Sequence, residues 1–75
     1  MSIELYKEEL ELLEEIYKSK QVLRKFLDSR EIRVANNLVK LKLIDKGISD
    51  DKQSSVCYNI SRTGSKYLNE LWKEL

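Results

Sequence analysis

The stretch DSREIRVANNLVKLKLIDK, residues 28–46, constrains this chain most, because it specifies a capped helix that runs straight into a strand. Asp28 is an N-cap residue, and Glu31 stands three positions on, where its carboxylate can reach back to the N–H of the cap. Val34, Ala35, Leu38 and Leu41 then recur at spacings of three and four and share one face. Arg30, Arg33, Asn36, Asn37 and Lys40 fall on the opposite face. Those side chains can meet phosphates or pair with base edges, asparagine with adenine in particular. A solvated helix face has the same look, so the flanking segments must decide its use.

The 75 residues make a single domain, 1–75. A chain this short buries only about 60–65% of the surface its unfolded form exposes, so good helix packing or a partner subunit is needed. A folded protein is expected, because 41% of residues are hydrophobic and no low-complexity run occurs. There is no long apolar stretch and no leader-like segment, which makes a cytoplasmic protein the expectation. Cys57 cannot form an internal disulfide and reads as a buried small hydrophobe or, failing that, an intermolecular link.

The net charge of +1 conceals a strong polarity. Residues 1–17 carry six acids against Lys7, a balance of −5, whereas residues 18–46 carry nine bases against Asp28, Glu31 and Asp45, a balance of +6. Nucleic-acid affinity follows local cation density rather than the total.

Ahead of the central helix, residues 3–18 read as a first helix that Ser2 can cap, with a wide apolar arc and a glutamate face that should point away from any duplex. Residues 22–27 read as a short second helix. Val22, Leu23, Phe26 and Leu27 would turn inward and Arg24 and Lys25 outward, and a tight turn would lead to the third helix, as in a helix-turn-helix. After it, Leu43, Ile44 and Ile48 read as a strand whose backbone Gly47 lets depart from regularity. SDDKQSS is a hairpin tip, and Val56, Tyr58 and Ile60 alternate with Cys57 and Asn59 as the return strand. Ser61 caps a last helix on which Tyr67, Leu68, Leu71, Trp72 and Leu75 form an apolar stripe. Trp72 there faces either a second chain or the first helix.

The segment LIDKGISDDKQSSVCYNISRTGSKYL, residues 43–68, resembles the wing region of MarR-type regulators and of small archaeal, viral and plasmid winged-helix proteins. Leu43-Ile44 corresponds to the end of the recognition helix, Asp50-Asp51-Lys52 to the wing, and Ile60-Ser61-Arg62-Thr63-Gly64 to the Leu-Thr-x-x-Gly opening of the next helix. Lys42 stands where the family has glycine, and the wing lacks the arginine usual after its aspartate. The resemblance implies a mainly α, α+β winged helix-turn-helix: three helices, a β-hairpin wing over about 43–60 and a C-terminal helix. It also implies a homodimer on palindromic operators, paired through terminal helices. Ile3, Tyr6, Leu10, Leu71, Trp72 and Leu75 are the interface candidates.

The expected function is therefore a small transcription regulator that binds double-stranded DNA. Its recognition helix, about 29–42, would present Arg30, Arg33, Asn36, Asn37 and Lys40 to the major groove. Arg24 and Lys25 would hold phosphates, and Lys52 would do so from the wing. The alternative is a winged-helix protein-interaction module: an antirepressor, an inhibitor of a host protein or an assembly subunit. An enzyme is not expected, because histidine is absent, Cys57 has no base to activate it and no glycine-rich phosphate loop occurs. No metal, cofactor, small-molecule ligand or membrane surface is expected either.

Overall fold

The computed structural model describes residues 4–49 and 55–73. Its central helix, α2, runs Ser29–Lys40, and both ends are set by local chemistry. At the start, Asp28 accepts from the Glu31 N–H at 2.8 Å, and the Glu31 carboxylate accepts from the Asp28 N–H at 3.2 Å. This reciprocal box satisfies two donors that a helix start otherwise leaves unpaired. At the end, Lys42 adopts a left-handed φ of 64°. The Lys42 N–H then reaches Val39 O at 2.9 Å, and the Leu43 N–H reaches Leu38 O at 3.0 Å. The two bonds together are a Schellman motif, with the apolar pair Leu38 and Leu43 buried beneath it. Lys42 thus holds the conformation for which glycine is best suited.

The first helix, α1, is Lys7–Ser19 rather than 3–18. Glu9 sets the start, because its carboxylate accepts from the Tyr6 N–H at 3.0 Å and leaves Tyr6 extended ahead of the helix. The expected cap, Ser2, lies outside the described residues. Lys20, at φ 69°, ends α1 and turns the chain back on itself.

The expected short helix at 22–27 does not form. Its place is taken by a strand, β1, Gln21–Leu23, and a 3-10 turn, Arg24–Phe26, so α2 has no α-helical partner for a helix-turn-helix. A run of six residues is too short for periodicity to distinguish helix from strand, and an available sheet edge decides between them. The turn also reverses Phe26, which is 72% exposed, with the Lys25 ammonium 5.5 Å from its ring centre.

That edge belongs to β3, Val56–Ile60, which is the middle strand of an antiparallel sheet of order β1-β3-β2, with β2 spanning Ile44–Ile48. Val22 pairs with Tyr58 on one side of β3 and Lys46 pairs with Tyr58 on the other. Gly47 sits in register opposite Cys57 without positive φ, so β2 is regular where an irregular backbone was expected. The Ser49 N–H donates to Ser55 O at 2.8 Å at the neck of the hairpin. The tip between them, including Lys52, lies outside the described residues.

Facing side chains in register place Val22, Ile44, Tyr58 and Ile60 on one sheet face. The core forms where the helices cover that face: Leu12, Leu13 and Ile16 of α1, Ala35 and Leu38 of α2, then Leu43, Ile44, Tyr58 and Leu68. Cys57 is buried as well, and the Asn59 amide donates to its sulfur at 3.7 Å.

The last helix, α3, covers Arg62–Lys73 and starts as expected at Ser61, whose hydroxyl accepts from the Gly64 N–H at 2.9 Å. The same hydroxyl donates to Lys42 O at 2.8 Å, and the Ser61 N–H donates to Leu43 O at 3.3 Å. Gly64 is what lets α3 come so near: a Cβ there would stand 3.0 Å from the Leu43 carbonyl carbon and closer still to its oxygen. Among the described residues no helix is long and apolar enough to cross a membrane.

Candidate nucleic-acid interface

The two faces of α2 differ as the spacing requires. Ala35 and Leu38 have no solvent exposure, whereas Arg30, Arg33, Asn36, Asn37 and Lys40 are all exposed. Arg33 and Lys40, at positions 33 and 40, stand two turns apart on one line of the helix, and neither has an ion-pair partner among the described residues.

Arg30 differs from them. Its guanidinium bonds the Glu8 carboxylate of α1, and the Asn37 side-chain amide donates to Glu9. The acidic face of α1 therefore does not point wholly away from the basic face of α2. Packing Leu12, Leu13 and Ile16 into the core brings the first turn of α1 alongside α2, and two of its glutamates come with it. Asn36 is anchored from another side, since its Oδ1 accepts from the hydroxyl of the buried Tyr58 at 3.1 Å. Between the start of α1 and the outer face of α2 lies an open groove of about 950 Å³, which Tyr6, Arg33, Asn36, Asn37 and Lys40 all border. Tyr6 is 81% exposed and Lys7 also faces the groove.

Arg24 and Lys25 are exposed on the 3-10 turn. They border a shallower hollow of about 390 Å³ together with Ile32 of α2 and Ser55 and Val56 of the hairpin. The turn, the helix and the hairpin neck therefore meet on one side of the molecule. Tyr6 and Lys7 are not legible from the sequence as bordering residues, because the apolar spacing carries the helix back to residue 3, whereas α1 starts at Lys7. The exposure of Ile48 at the end of β2 is not legible there either.

The residues expected to pair two chains have mixed environments. Leu10 and Leu71 are half-buried, and Tyr6 is open but also borders the groove, while Ile3 and Leu75 lie outside the described residues. Trp72 leans on Tyr17 of α1 edge-on, ring centres 5.3 Å apart at 78°, and stays 37% exposed. Of the two readings for Trp72, packing against the first helix is therefore the one found within the chain. On the same helix, partial burial and the nearby Glu4 carboxylate raise the Tyr67 pKa above its ordinary value of 10.0. Among the described residues no three metal-ligating side chains come together. Compared with protein families, curated proteins and solved structures, the chain matches none.

Proposed function

We propose that this chain is a small duplex-DNA-binding protein of winged-helix layout that lays α2 in the major groove and regulates transcription. The observation that carries the proposal is the outer face of α2: two cations, Arg33 and Lys40, without an ion-pair partner among the described residues, and two anchored amides, on a helix whose opposite face buries Ala35 and Leu38 completely. The element order α1, β1, turn, α2, β2, β3, α3 suits a winged helix in which the second helix has shrunk to a 3-10 turn. Arg24 and Lys25 then flank the recognition helix as phosphate contacts, and the hairpin serves as the wing. A homodimer on a palindromic site is the arrangement in keeping with the MarR-type resemblance.

The test is a titration of fluorescent random duplex at several salt concentrations. Each neutralised phosphate contributes about −0.9 to the slope of log K against log salt. Arg24, Lys25, Arg33 and Lys40 together give a slope of about −3.6 for one protomer and about −7 for a pair. Absence of binding at low salt, or binding insensitive to salt, refutes the proposal.

One observation favours a second reading, a protein-interaction module without DNA. Glu8 neutralises Arg30 on the same face that would meet phosphates. In that reading the groove beside Tyr6 holds a polypeptide, and light scattering on the purified chain with its partner reports a stoichiometric complex that duplex DNA does not disturb.

A further inference from the structure

Asn36 and Asn37 are neighbours on the outer face of α2, and the fold ties each from behind by a different atom. Glu9 is the only charged side chain buried among the described residues, 7% exposed. One of its oxygens caps α1 through the Tyr6 N–H, and the other accepts from the Asn37 amide. A carboxylate can only accept, so Asn37 must turn its NH2 group toward α1. Its carbonyl oxygen and its second N–H remain available to a ligand. A donor beside an acceptor is what the N7 and N6 edge of adenine requires. Asn36 is held the other way round: its carbonyl accepts from the Tyr58 hydroxyl, which leaves its NH2 group outward as a donor.

We infer that Asn37 reads adenine in the target site and that Glu9 is the positioning residue that aims it. The inference rests on the DNA-binding reading above and adds which base is read and how. Glu9 does not touch the nucleic acid. It removes the freedom of the amide to rotate, so the side chain is aimed before DNA arrives and loses less entropy on binding. The second oxygen of Glu9 makes this possible, since the first is used by the cap.

Substituting Glu9→Gln gives the sharpest test, because glutamine also serves at the third position of a capping box. Its carbonyl takes over the Tyr6 N–H, and its NH2 group now faces Asn37. Asn37 must then turn its own carbonyl back toward α1 and present two N–H donors outward, a pattern suited to the acceptors N7 and O6 of guanine. Binding-site selection from random duplex DNA is run on the wild type, Glu9→Gln and Asn37→Ala, each with its melting temperature measured. The expected wild-type motif contains an adenine favoured about 5- to 150-fold over other bases. Asn37→Ala loses the preference at that position alone, and Glu9→Gln shifts it from adenine toward guanine. Identical motifs from all three proteins overturn the inference while leaving DNA binding intact. Failure of the wild type to enrich any duplex overturns the DNA-binding reading, and the inference falls with it. If Glu9→Gln melts far below the wild type, Asn37→Ala decides alone, since its side chain is exposed.

Discussion

Replacing Gly64 with alanine tests the tightest approach in the fold, because general helix propensity and this particular packing predict opposite signs. Gly64 is the third residue of α3, and in a free helix alanine there is favoured by about 1 kcal/mol. Here the new methyl would lie 3.0 Å from both the Leu43 carbonyl carbon and Ile60 Cδ1, and nearer to the Leu43 oxygen. Carbon atoms rest at about 3.5–4.0 Å, so the carbon contacts alone require α3 to back away by roughly 0.5–1 Å, and the nearer Leu43 oxygen requires more. The obstacle is backbone, which cannot swing aside as a flexible side chain would. Overpacking of this kind costs about 1–3 kcal/mol. Withdrawal also stretches the bonds from Ser61 to Lys42 O and Leu43 O, each worth about 1 kcal/mol. With the helix gain subtracted, Gly64→Ala should destabilise by about 2–3 kcal/mol, which lowers the melting temperature by roughly 10–20 °C for a domain of this size. Thermal unfolding followed by circular dichroism measures it, with Asn69→Ala, exposed on the same helix, as a control expected to gain a few tenths. A Gly64→Ala protein that melts at or above the wild type refutes the packing argument.

Lys42→Gly should stabilise by about 1 kcal/mol, because glycine adopts the left-handed position of the Schellman motif without the penalty lysine carries; urea unfolding with an unchanged m-value reads this. Asp28→Ala should cost about 1 kcal/mol by removing the acceptor for the Glu31 N–H, and an equal loss from Asp28→Asn would argue against the cap as the cause. Arg33→Ala should weaken duplex binding by about 1–3 kcal/mol with selectivity lost at one position if it meets a base edge, or shrink the salt slope by about 0.9 if it meets a phosphate. Unchanged affinity would place Arg33 outside the interface. The raised pKa of Tyr67 means that the folded chain favours the neutral phenol. The associated stability is therefore present below pH 10 and is lost as pH rises through the folded-state value. Tyr67→Phe should flatten that alkaline decline in chemical unfolding between pH 9 and 11, and parallel curves for the two proteins would contradict it.

The segments that the sequence determined by itself are those whose structure is settled by neighbours in the chain. Asp28 and Glu31 fix the start of α2, three-and-four spacing selects its inner face, and Ser61 with Gly64 opens α3. All three depend on interactions spanning four residues or fewer, which a linear reading can follow. Tertiary structure alone decided the rest. Residues 21–26 became a strand and a turn because β3 had an unpaired edge, and no local preference of six residues outweighs a row of sheet hydrogen bonds. Glu8 and Glu9 came to rest against Arg30 and Asn37, 22 and 28 residues away in the chain, because burying the apolar side of α1 dictates where its polar side lies. The composition of the outer face of α2 was legible in advance, but not which of its side chains are held and which are free. That depends on the placement of a second helix, which one helix's own sequence does not encode.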